Sequence, residues 1–160
     1  MPKSPTRVHL EQEQNTNTSK IEIAHFAGKW SSDSTIRDDE FYLIRQNSIE
    51  SIKDNGDIQS HVKFSAFSLI ENNLLLEAVG TFWGKLKVVN NQLHIFYNKV
   101  VIESVASNDP GFDVKNFEEG VKSTLNTPVI VNILELKTNS ITAIRSDDGV
   151  IYHMTRLTDN

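Results

Sequence analysis

A chain of 160 residues with 38% hydrophobic residues and a formal net charge of −5 is long enough for one domain with its own core and too apolar to be disordered. It has no cysteine, which excludes disulfides and thiolate sites without fixing a compartment. Lys and Arg form no long run, so no nucleic-acid partner is expected, and no apolar stretch approaches the roughly 18 residues of a membrane-spanning helix.

The first 20 residues, MPKSPTRVHLEQEQNTNTSK, hold two prolines, three threonines and little to bury, and read as a flexible polar tail ahead of a single domain over 21–160. The tail has no apolar h-region. A cytoplasmic location is therefore expected if Met1 is the native start, and an extracytoplasmic one if a signal peptide has been removed. Next comes HFAGKWSS (25–32), which sets Gly28 two residues before Trp30. DSTIRDDE (33–40) carries four carboxylates but lacks the alternation and the glycine of a calcium loop, so it reads as a solvated loop.

Short strands follow: Phe41–Arg45, Ser48–Lys53, Ile58–Phe67, Leu74–Phe82, Gly84–Val89, Gln92–Tyr97, Val100–Ala106, Val129–Lys137, Ser140–Arg145 and Val150–Leu157. Three alternate cleanly. Val62, Phe64 and Ala66 oppose His61, Lys63 and Ser65; Leu86 and Val88 oppose Lys85 and Lys87; Leu93, Ile95 and Tyr97 oppose Gln92 and His94. Period two with one apolar face marks a half-buried antiparallel strand. KDNGD (53–57) contains Asn-Gly, which accepts positive φ at both turn centres, and VNNQ (89–92), SDDGV (146–150) and ENN (71–73) have related turn chemistry. Strands each followed by their own reversal make a meander. An all-β, antiparallel, up-and-down barrel of 8–10 strands closes such a meander without open edges, whereas a sandwich needs longer crossing connections.

One segment breaks the pattern. In DPGFDVKNFEEGVKSTLNTP (109–128), Val114, Phe117, Val121 and Leu125 recur at helical spacing, with Asp113 as N-cap and Pro128 as terminator. This predicts one inserted helix near 112–126, weakened at Gly120 by about 1 kcal/mol relative to alanine.

Gly28-Lys29-Trp30 at the start of the first barrel strand resembles the Gly-x-Trp signature of lipocalins, and YHMTRL (152–157) supplies Arg156 near the end. The ordered set GKWSSDS, an Asn-Gly hairpin, GTFWGKLKVVNNQLHIFY and ILELKTNSITAIRSDDGVIYHMTRL resembles the bacterial lipocalin-like domains over residues 26 to 157. The resemblance implies a lipocalin-like, calycin-type β-barrel over 21–160, with Gly28, Trp30 and Arg156 as structural residues. In it Trp30 closes one end of the barrel and Arg156 lies across the indole, a favourable cation–π arrangement. The helix insertion is longer than the plain pattern needs. Fatty-acid-binding proteins also begin with a similar strand, but the helix pair that follows theirs has no counterpart in the short, polar SSDSTIRDDE.

Chemical motifs are sparse. His9, His25, His61, His94 and His153 share no metal-binding spacing, and no nucleophile with its base, phosphate loop or His-Glu-x-x-His is present. No metal, cofactor or catalytic residue is expected. Most strand aromatics read as core. If the barrel is hollow, its lining comes from the apolar faces: Val62, Phe64, Leu76, Phe82, Leu86, Leu93 and Ile95. Two functions follow, one for a hollow barrel and one for a filled barrel. The first is a lipocalin-like protein holding a small apolar or amphipathic ligand. The second is a packed barrel that docks a protein partner as an inhibitor, accessory subunit or immunity protein.

Overall fold

Eight antiparallel strands, each bonded to the next in sequence, wind into a closed barrel in the computed structural model, which describes residues 21–37 and 42–158. They are β1 (Gly28–Arg37), β2 (Tyr42–Ile52), β3 (Asp57–Ser68), β4 (Asn73–Val89), β5 (Gln92–Ser107), β6 (Val129–Leu136), β7 (Ser140–Arg145) and β8 (Ile151–Arg156). Helix α1 (Val114–Lys122) is inserted between β5 and β6, and the Asp113 side chain accepts from the Asn116 N–H at its start. The expected tail, residues 1–20, and the acidic Asp38, Asp39 and Glu40 lie outside the described residues.

The reversals fall where the turn residues are. Asn72, Asn90 and Gly149 take positive φ. At Asp54-Asn55-Gly56 only Gly56 does so, at +92°, because the hairpin is closed by three residues rather than two. The eight strands fall within the expected 8–10: the ten expected segments become seven because three pairs merge, and β1 is the eighth. Gln46 and Asn47 continue β2 without a break, Gly84 bends β4 without ending it, and Asn98 and Lys99 lie within β5. Asp33–Arg37 is strand rather than the expected loop, because Ser32 and Ser34 are small enough to face the interior.

Gly80 and Gly84 explain how two such long strands can curl. The β4–β5 register shifts at both places, leaving an extra residue on β5 each time. A Cβ on Gly84 would lie 1.8 Å from the Phe96 carbonyl oxygen, and one on Gly80 would lie 3.2 Å from that of Val101. Backbone approaches this close, next to bulges, are where a strand can bend around a barrel.

The two ends of the barrel differ. At one end a short 3₁₀ turn (Ile23–His25) and Phe26 plug the opening, beneath a core of Trp30, Ile52, Ile58, Leu86, Leu93 and Ile141. Trp30 is fully buried and donates from Nε1 to the Phe26 carbonyl at 2.8 Å. The Arg156 guanidinium lies 4.2 Å from the centre of the indole ring. It also donates to the carbonyls of Ala27 (2.7 Å), His25 (3.1 Å) and Thr138 (3.0 Å). Gly28, at φ +121°, leaves room for it: a Cβ there would meet the guanidinium at 2.8 Å. At the other end β5 outruns β6, which pairs with it only over Gln92–Ile95. There α1 lies over the exposed inner face, bringing Phe117 and Val121 against Phe64, Ala78, Phe82 and Ile102.

Candidate binding site in the barrel interior

Along β1, β2 and β3 the even-numbered side chains point inward, and the register stacks them into rows: Trp30 beside Glu50 and Ser60, Ser32 beside Ser48 and Val62. The rows change character along the barrel. Near the plugged end they are apolar; one step further they become serines, Gln46, Glu50 and tyrosines. Between these zones lies a cavity of about 120 Å³, lined by Ile52, Ile58, Leu86, Leu93, Ile95 and Val131 on the apolar side. Gln46, Glu50, Tyr97, Arg145 and Tyr152 line its polar side.

Of the sequence-derived lining residues, Leu86, Leu93 and Ile95 meet at this cavity. Phe64 and Phe82 lie under α1 instead, Val62 is buried in the row between Ser48 and Gly80, and Leu76 sits towards the far end, opposite Ala66. The polar wall was not anticipated. Its signal was parity: Gln46, Ser48 and Glu50 share a face with Ile44 and Ile52.

Glu50 is the centre of that wall. Ser48 donates to its Oε1 at 2.8 Å, Ser60 Oγ bonds its Oε2, and Ser60 Oγ lies 2.7 Å from the Tyr97 hydroxyl. The side chain is half-buried and lines the cavity, and no cation forms an ion pair with it among the described residues. Desolvation raises its pKa, an effect the two serines only partly oppose. Burial also holds the Tyr97 hydroxyl well above its usual range, helped by the neighbouring Glu50 charge. Tyr152 is raised by burial as well. Its hydroxyl accepts from Arg145 Nη1 at 3.1 Å. Arg145 is in turn paired with Asp148 and, at 3.0 Å, Asp147, and its bonds to Asp148 raise its own pKa.

The raised Glu50 has a pH signature. The folded state holds its proton at pH values where the unfolded chain has already lost it, so stability falls as pH rises through that window and stays reduced above it. Glu50→Gln removes the ionisation while keeping the shape and the serine contacts. Denaturant unfolding at a series of pH values is expected to give a flatter profile for the variant, with stability above wild type at alkaline pH. A variant that tracks wild type at every pH would show that Glu50 ionises without cost.

Two larger hollows are open surface clefts. One, of about 680 Å³, lies where β1 and β8 part beyond the Asp33–His153 pair, between Asp33–Ile36 and Asp148–Ile151. The buried Ser34 Oγ in this wall has no hydrogen-bond partner. Among the described residues no three His, Asp or Glu side chains gather as a metal set. No protein-family model and no curated protein matches the chain; its structure is an eight-stranded antiparallel barrel consistent with a lipocalin-type fold.

Proposed function

We propose that this is a lipocalin-like binding protein, rather than an enzyme, that holds a small amphipathic ligand inside the barrel. The observation that carries this reading is the interior cavity with an apolar wall on one side and a hydrogen-bonded polar wall on the other. A barrel selected only for stability would fill that space with side chains, since buried polar groups and voids both cost stability. Size narrows the ligand. About 120 Å³ is well below the usual small-molecule site and close to a cavity that takes benzene. A single ring or a short branched chain fits; a long-chain lipid does not.

Methyl NMR tests this directly. Adding benzene is expected to shift the methyl signals of Leu86, Leu93 and Ile95 in a saturable way. Ala143→Leu should abolish the response, because Ala143 lines the same cavity and the larger side chain occupies it. Unmoved methyls in the wild-type protein would favour the second reading, a filled barrel that docks a protein partner. That reading draws on Leu69 and Ile70, which stand exposed together at the β3–β4 turn, Ile70 with 71% of its surface open.

A further inference from the structure

We propose that the cavity recognises a compact neutral carbonyl compound, its oxygen accepting hydrogen bonds from the phenol hydroxyls of Tyr97 and Tyr152. This rests on the binding reading above and names the chemistry of its ligand. Both tyrosines line the cavity, and each has a polar group hydrogen-bonded to its hydroxyl, Ser60 at Tyr97 and Arg145 at Tyr152. Arg145 Nη1 donates to the Tyr152 oxygen, so the phenolic proton of Tyr152 is left to point elsewhere, and no acceptor takes it among the described residues. Behind Tyr97 the chain runs through Ser60 to Glu50. With Glu50 protonated, each hydroxyl passes its proton forward: Glu50 to Ser60, Ser60 to Tyr97, and Tyr97 into the cavity. Two hydroxyl donors aimed into the cavity, beside Leu86, Leu93 and Ile95, suit a ligand that is apolar except for one strong acceptor.

The charges select among acceptors. Arg145 is already paired with Asp147 and Asp148, which leaves little attraction for a carboxylate, and Glu50 would repel one if ionised. The titratable and charged groups that share the cavity with Glu50 are Tyr97 on β5, Arg145 on β7 and Tyr152 on β8; β1 presents Trp30 and β3 presents Ser60. Ionising Glu50 reverses the relay, so that Tyr97 donates back towards Ser60 and offers a lone pair to the cavity. A ketone should therefore bind best at pH values low enough to keep Glu50 protonated and lose affinity as pH rises through its ionisation.

Four molecules of similar size separate the outcomes: cyclopentanone, methylenecyclopentane, cyclopentylamine and cyclopentanecarboxylate, titrated by methyl NMR and calorimetry. Cyclopentanone is expected to bind tightest. Tyr97→Phe and Tyr152→Phe should each weaken it by about 3- to 10-fold, the worth of one hydrogen bond, while leaving methylenecyclopentane unchanged. Equal binding of ketone and alkene in wild type overturns the inference but leaves the binding reading standing, and that comparison needs no variant to fold. Tightest binding of the amine would show that an ionised Glu50 is the recognition group, and tightest binding of the carboxylate would show that Arg145 is; either result overturns it. If none of the four binds, both the inference and the binding reading fall.

Discussion

Trp30→Ala is expected to lose roughly 4–6 kcal/mol of folding stability, as much as the whole stability of a domain at the low end of the ordinary range of about 5–15 kcal/mol. Three losses combine. Truncating a fully buried indole leaves a cavity worth about 3–5 kcal/mol. The Arg156 guanidinium loses the aromatic face beneath it, worth about 1–2 kcal/mol in a desolvated setting. The Phe26 carbonyl loses its donor. Trp83 provides the contrast. It is only partly buried, with Lys99 over its ring at 4.8 Å, so Trp83→Ala should cost about 1–2 kcal/mol. Arg156→Lys keeps the charge but cannot reproduce a flat group donating to three carbonyls, and about 2 kcal/mol should go with it. Chemical denaturation of the four proteins checks the order. Equal losses at Trp30 and Trp83 would reduce the plugged end to ordinary packing.

Gly84→Ala should be comparably damaging although it adds one methyl group. Its Cβ would lie 1.8 Å from the Phe96 carbonyl oxygen and 2.8 Å from the Tyr97 Cα, both backbone atoms that no rotamer change can move. The strands must part by more than an ångström, which breaks the bend holding Tyr97 at the cavity. A loss of about 3 kcal/mol or more is expected, at the upper end for overpacking. Gly120→Ala is the internal control. A Cβ there meets nothing within 4 Å, so the variant should gain up to about 1 kcal/mol from helix propensity alone. Thermal unfolding of the pair should therefore move in opposite directions, and parallel shifts would disprove the steric account.

The sequence made some of this legible and hid the rest for physical reasons. Turn residues announce themselves: Asn72, Asn90 and Gly149 sit at the reversals because few other residues accept positive φ. The helix was visible because α1 repeats at 3.6 residues amid strands that repeat at two. Strand ends were harder. Gly84 looks like a terminus in one dimension and is a bend in three, and SSDST looks like a loop because its inward residues are serines. The same bias hid half of the candidate site. Assigning the interior to apolar side chains finds Leu86, Leu93 and Ile95 and passes over Ser60, Glu50 and Arg145, whose positions follow from register rather than hydropathy.

The seam between β1 and β8 has a mechanical consequence. Only Trp30–Asp33 and Arg156–His153 pair across it, and the strands run antiparallel, so the start of β1 and the end of β8 emerge side by side. A force pulling those two ends apart would not shear the seam along its length, with all its bonds sharing the load. It would peel the seam one rung at a time from the Trp30–Arg156 rung, leaving the guanidinium and its three carbonyls to bear the first tension. The stacked pair is thus the fastener at the tip of a zip. While it holds, a seam four rungs long resists opening; once it gives, little remains to stop the barrel unrolling into the sheet from which it was closed.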